Sequence, residues 1–256
     1  MISKESLDFF GLSFFVIISE IDALKICKLR FVSSTLQAQK QDYNMIKVKT
    51  FAFNPFQENT YILSDETGEC VIIDAGCWET REEKAMVDYI ESNNLKPVRL
   101  INTHGHVDHV CGTRFVSGKY GLKLELHADE IPMVERAVEM GKGFGFAIEE
   151  PAVAEVFLNE QDTVVFGNSE LKILHLPGHS KGSLAFYNEA NQIVVTGDVL
   201  FRDSIGRSDL PGGNYDELIH SINQKLMKLG EDFKVLPGHG PATTLGFEQQ
   251  NNCFLQ

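Results

Sequence analysis

From residue 45 onward the apolar positions follow two periods, and each change of period marks a new element. Apolar and polar residues alternate through Met45-Ile46-Lys47-Val48-Lys49-Thr50-Phe51, the signature of a half-buried strand. With the runs at 60–64 and 70–74 this predicts three strands, punctuated by Asn54-Pro55 and Asp65-Glu66-Thr67-Gly68. Between 80 and 94 the spacing of Ala85, Met86, Val87, Tyr89 and Ile90 among charges turns helical. A strand at 98–102, a helix at 111–120 that Gly121 stops, a strand at 122–126 and a helix at 128–140 follow. Four short strands at 162–166, 171–176, 183–187 and 192–196 predict a second sheet, before an amphipathic helix at 215–229 and a last strand at 233–236. Two strand-rich halves, each with helices, in one continuous domain over 45–256 imply stacked layers and not a doubly wound parallel sheet.

Residues 1–44 do not share this pattern. Their apolar run, 9–18, is ten residues long, whereas a bilayer span takes about 20. Acidic Glu5 and Asp8 precede it and Glu20-Ile21-Asp22 follows it, where a signal peptide has a positive start and a small-residue cleavage site. We expect Met45 to be the natural start and 1–44 to be an upstream extension.

The chemistry concentrates in Thr103-His104-Gly105-His106-Val107-Asp108-His109, three imidazoles and a carboxylate directly after an apolar run. Imidazole nitrogen and carboxylate oxygen are ligands for borderline divalent ions, and a packed core does not account for so many polar groups at a strand end. In extended backbone His104 and His106 point the same way. Asp108 and His109, further along the chain, can face a second point, so the spacing suggests two metals. It is not the zinc-protease pattern of two histidines four apart on a helix. Three later stretches, each after an apolar run and a tight turn, offer partners: Pro177-Gly178-His179, Thr196-Gly197-Asp198 and Pro237-Gly238-His239.

Other candidates have plainer explanations. Asp74, in Asp74-Ala75-Gly76, is either a turn carboxylate or a support behind the ligands. Cys111 is a small buried filler. His127 is a surface or hydrogen-bonded imidazole, His175 structural and His220 solvated. The run Gly141-Lys142-Gly143-Phe144-Gly145-Phe146 lacks the close of a P-loop, which leaves an aromatic-tipped loop beside the site or an ordinary solvent loop.

The order His-x-His-x-Asp-His, Gly-His, Gly-Asp, Gly-His resembles the metallo-β-lactamase-fold hydrolases from residue 45 onward. Within them, Gly197-Asp198-Val199-Leu200-Phe201, Ile205-Gly206-Arg207-Ser208-Asp209 and Pro237-Gly238-His239-Gly240-Pro241 resemble the short glyoxalase II-like (hydroxyacylglutathione hydrolase-like) branch. The resemblance implies an α/β fold of the αβ/βα sandwich type, two mixed β-sheets flanked by helices. It implies two divalent ions, zinc with iron or manganese as alternatives, one held by His104, His106 and His179, the other by Asp108, His109 and His239, with Asp198 bridging. It also implies hydrolysis of a small thioester such as S-lactoylglutathione by a metal-bridging hydroxide, with Asp108 orienting that hydroxide or relaying its proton.

Departures from the family bear on the substrate. Lactam-cleaving members typically carry a cysteine in place of Asp198 and lack His109, which argues against lactam hydrolysis. Oxygen-binding diiron relatives carry a glutamate in place of His106. Full-length glyoxalase II has a C-terminal helical region that binds glutathione, and its lysines and arginines have no counterpart after Gly240. A lactone or another small ester is therefore an alternative substrate, and a mononuclear-iron persulfide dioxygenase is the alternative from another class.

Composition adds exclusions. A formal charge of −13, with no clustered basic run, disfavours nucleic acid as a partner. Five cysteines without a C-x-x-C pair fit a reducing compartment and a cytoplasmic protein. A content of 43% hydrophobic residues supports a sizeable core with no membrane expected, and oligomeric state is not written in the pattern.

Overall fold

The computed structural model describes residues 45–256, so the expectations for 1–44 lie outside the described residues. Strands β1 (Lys47–Phe53), β2 (Glu58–Ser64) and β3 (Glu69–Ile73) run as an antiparallel meander. Helix α1 (Thr80–Ser92) then crosses to β4 (Lys96–Ile101), which pairs parallel to β3. Helices α2 (Val107–Val110) and α3 (Thr113–Tyr120) lead to β5 (Leu124–Leu126), and α4 (Ile131–Glu135) and α5 (Ala137–Gly143) to β6 (Ala154–Phe157). These six strands form one sheet in sequential order.

The second sheet has the order β14-β13-β10-β9-β8-β7. Its strands are β7 (Thr163–Phe166), β8 (Ser169–His175), β9 (Leu184–Asn188) and β10 (Ile193–Gly197), then, past the small pair β11 (Leu200–Phe201) and β12 (Ser204–Ile205) and helix α6 (Tyr215–Gln224), β13 (Lys234–Pro237) and β14 (Thr243–Thr244). Helix α7 (Leu245–Asn251) follows. The pairing of β10 with β13 is parallel, so this sheet is mixed like the first.

Strand alternation decides which layer each side chain joins. Tyr61, Leu63, Val71 and Ile73 pack with Phe166, Ile173, Phe186 and Val195 in a core between the sheets. Their neighbours Ile62, Cys70 and Ile72 point the other way, under Met86 and Ile90 of α1. On the far side Val194 and Val235 meet Leu218 and Ile222 of α6. The result is helices, sheet, sheet, helices: the αβ/βα sandwich, with the inner strands β2, β3 and β10 buried on both faces.

The differences from the sequence pattern are local. The helix expected at 128–140 is a 3₁₀ turn (Ala128–Glu130) and two short helices, since Pro132 has no N–H to give and suits only a first turn. The helix expected at 215–229 ends at Gln224, and a 3₁₀ turn (Leu226–Leu229) follows. Strands β6, β11, β12 and β14 and helices α2 and α7 are absent from the sequence-based expectation.

Candidate metal centre

The first sheet delivers four donor residues from one strand end. Asp74, fully buried at the end of β3 with φ 54°, sits in the left-handed region that few side chains adopt. Its Oδ1 accepts from the Thr103 amide and its Oδ2 from the Thr103 hydroxyl, both at 2.6 Å, and Oδ2 also lies 3.1 Å from His109 Nδ1. Asn102 donates its side-chain amide to the His109 carbonyl at 2.8 Å. These bonds curl the chain after β4, so that His104 and His106 flank Gly105 in extended backbone while Asp108 and His109 ride on the first turn of α2.

The second sheet supplies one donor per turn. Gly178, at φ 134°, is pressed so closely against the Leu218 backbone that a Cβ would collide with it, and His179 follows. Asp198 follows Gly197, at φ 50°, beyond β10. His239 follows Gly238, where a Cβ would run into the Asp198 carboxylate. A positive φ or a close approach is what glycine permits at such points.

The structure brings all seven residues together. The ligating atoms of His104, His106 and His179 lie within 4.8 Å of one another, and so do those of Asp108, His109 and His239. Asp198 stands between the groups, with Oδ1 3.4 Å from His109 Nε2 and Oδ2 3.7 Å from His179 Nε2 and 3.5 Å from His239 Nε2. Four rings are anchored by their rear nitrogen: His104 Nδ1 by Thr103 Oγ1 (3.0 Å), His109 Nδ1 by Asp74, His179 Nδ1 by the Arg207 carbonyl (2.7 Å) and His239 Nδ1 by the Phe56 carbonyl (3.0 Å). Such bonds leave Nε2 free to bind. His106 is turned the other way, with Nδ1 2.8 Å from His179 Nε2.

The donor set fits cations. His104 Nε2 and Asp198 Oδ1 are buried and lack a hydrogen-bond partner, which is costly unless something else satisfies them. Ring nitrogens meet at 2.8 Å (His106 with His179) and 3.3 Å (His109 with His239), a separation at which they share a proton or a cation. Without a metal the two groups differ in charge. Burial pushes His104 well down, and burial with the neighbouring His179 pushes His106 down to about 3. His109 is equally buried, yet Asp198 and Asp108 hold it well above the usual imidazole value, and His239 is raised chiefly by Asp108 against its burial. In return His109 holds Asp198 and Asp108 low although both are desolvated.

A cavity of about 460 Å³ opens over Asp108, His179, Asp198 and His239. Its wall is apolar, with Phe56, Phe144, Phe201, Met140 and Leu210, and Arg207 stands at its rim with its guanidinium paired to Asp209 at 2.8 Å. The glycine-rich run 141–146 therefore sides with the site: Phe144 lines the cavity, while Phe146 is buried against Trp78 with ring centroids 4.8 Å apart.

The remaining histidines stay out of both groups. His127 stacks on His175 at 4.5 Å, His175 Nε2 donates to the Lys181 carbonyl, and His220 is exposed. Cys111 is a buried filler whose thiol donates to the Gly76 carbonyl at 3.2 Å. Asp74 resolves into a support for His109. Two buried carboxylates, Glu58 beside His109 and Glu130 beside Gly105, escaped the sequence. Glu58 left no signal of its own, standing first in a polar Glu58-Asn59-Thr60 stretch before the apolar run.

Residues 53–239 match the metallo-beta-lactamase superfamily, and the chain belongs to it. With its two His/Asp groups it is a metal-binding hydrolase of that superfamily. The hydroxyacylglutathione hydrolase GloC of Haemophilus influenzae is 32% identical over 82% of this chain and 98% of its own length. The di-iron-bound form of TTHA1623 is 36% identical, with TM-score 0.74 over 81% of this chain and 100% of its own. BLEG-1, a B3 metallo-beta-lactamase, is 32% identical with TM-score 0.74 over 82% of this chain and 100% of its own.

Proposed function

We propose that the protein is a binuclear thioester hydrolase acting on a small acylated thiol such as S-lactoylglutathione. One ion is held by His104, His106 and His179 and the other by Asp108, His109 and His239, with Asp198 between them. The observation that carries this is the position of Asp198, within 3.7 Å of nitrogens from both groups at the floor of an apolar-walled cavity. Zinc suits this set, and the di-iron relative makes iron the first alternative. When bound, such ions would supply Lewis acidity and bring the pKa of water down to about 7.

The chain's own groups do the rest. The anchored rings hold the donors in place without rearrangement. Asp108, whose Oδ2 is 3.2 Å from His239 Nε2, lines the cavity and is placed to orient a water or relay its proton. Phe56, Phe144 and Phe201 exclude bulk water from an acyl group. Arg207 offers a cation to a carboxylate of the thiol. A thiolate leaves readily, so a dedicated acid is not required. The free thiols Cys70, Cys77, Cys111 and Cys253 support a reducing, cytoplasmic setting.

The test is hydrolysis of S-lactoylglutathione by metal-replete protein, with metal measured per chain. Saturable, metal-dependent turnover with two metals per chain is expected. One iron per chain with oxygen uptake would instead identify a dioxygenase. The 32% identity to BLEG-1 favours a lactam as the second reading, so a cephalosporin belongs on the same panel.

A further inference from the structure

Glu130 is 1% exposed, and no ion pair reaches it among the described residues. A carboxylate in such a place is expensive unless its oxygens are satisfied. Both are, by backbone amides from two separate turns: Oε2 accepts from Gly105 at 2.8 Å and Oε1 from Gly182 at 2.6 Å. Gly105 lies between His104 and His106, and Gly182 closes the turn that carries His179. Both glycines press on Glu130. A Cβ on Gly105 would stand 3.0 Å from the Glu130 carbonyl, and one on Gly182 would stand 2.9 Å from its Cγ.

The His179 turn is stiff enough to transmit a pull. Leu176 donates to the Ser183 carbonyl at 2.8 Å, Gly178 to the Ser180 carbonyl at 3.1 Å, and the Ser180 and Ser183 hydroxyls meet at 2.7 Å. On one side the strand that leaves the turn is pinned by Leu184 donating to the Thr103 carbonyl at 2.8 Å. Glu130 is the pin on the other side. Across the gap between the two turns His106 Nδ1 faces His179 Nε2. His239 hangs from other supports: Asn59 donates to the Pro237 and Gly240 carbonyls, and the Tyr61 hydroxyl to Pro237.

We infer that Glu130 is a positioning residue that sets the separation of the His104/His106 turn from the His179 turn, and so the affinity of the ion held there. This rests on the ligand sets proposed above. A glutamine at this position retains one acceptor and turns an NH₂ toward the other amide, which opens one side of the clamp.

The experiment equilibrates full-length loaded protein with graded chelator and counts metal per chain. Glu130→Gln should weaken one of the two ions by ~10–100-fold, the usual effect of removing a partner behind the ligands, and leave the other as in the unchanged protein. The weakened ion should be the one lost in His179→Ala, not the one lost in His239→Ala. Equal weakening of both, or of neither, overturns the inference. If Glu130→Gln does not fold, Glu130→Asp is read by the same criterion; failure of both to fold also overturns it, by making Glu130 a requirement of folding. A wild-type protein that never holds two ions would overturn the ligand sets instead, and the two failures are thereby separate.

Discussion

The two donor groups are made from the same residue types and are built in opposite ways. His104, His106 and His179 are buried to 6% exposure or less and carry no carboxylate of their own, and burial pushes His104 and His106 below the ordinary imidazole value. Asp108, His109 and His239 include a carboxylate, which with Asp198 holds their imidazoles above the ordinary value, and their His239 side chain is 27% exposed. The first group is a closed seat and the second an open one. Both border the cavity, the closed seat through His106 and His179 and the open one through Asp108 and His239.

Asp198 belongs to both seats, so its loss should erase the comparison. Asp198→Ala is expected to lose both metals and activity together, while His127→Ala and His220→Ala keep metal near wild type; equal loss in either control would mean the donors are misassigned. Tyr61→Phe touches only the open seat. It removes one of the two bonds to the buried Pro237 carbonyl, leaving that from Asn59, and should lower stability by ~0.5–1.5 kcal/mol in denaturant unfolding. It should also weaken the His239 side of the centre more than the closed seat.

Asp65 tests whether the two halves are held together away from the metals. Although it is desolvated, bonds from Thr67 and the Asn168 amide (2.6 Å) keep its carboxyl below the ordinary value. A depressed pKa stabilises fully above the unfolded value of about 3.9 and is lost as pH falls through the folded one. Asp65→Asn should therefore lower stability at neutral pH by ~1 kcal/mol, an effect that fades in acid, with metal content unchanged. The smallest effect is expected at the cavity wall. Phe144→Ala should raise KM by about threefold with kcat and metal retained, because a half-exposed ring contributes under ~1 kcal/mol.

The strands and donors that were legible share one property: their signal is local. The unbroken apolar runs Tyr61-Ile62-Leu63 and Cys70-Val71-Ile72 announce strands buried on both faces, and each late donor directly follows a glycine after an apolar run. Strand β6 was missed because Ala154-Glu155-Val156-Phe157 completes only two alternations, and the two-residue strands complete none. Glu130 was illegible for another reason. A carboxylate that serves backbone amides 25 and 52 residues away has no partner residue type to betray it. Asp74 was half legible, since its turn was visible and its bond to His109, 35 residues on, was not.

The bonds from Asn59 and Tyr61 to Pro237 also impose an order of events on synthesis. They join positions 178 and 176 residues apart, and the ring of His239 hangs on the Phe56 carbonyl from 183 residues away. A ribosome releases the first hairpin long before its partner strand exists. Until Pro237 emerges, the nascent chain carries six of the seven donors and has no means of holding the last. The open seat is thus finished only by contacts among the most distant in the chain, so a metal held there would report that the two sheets have already docked.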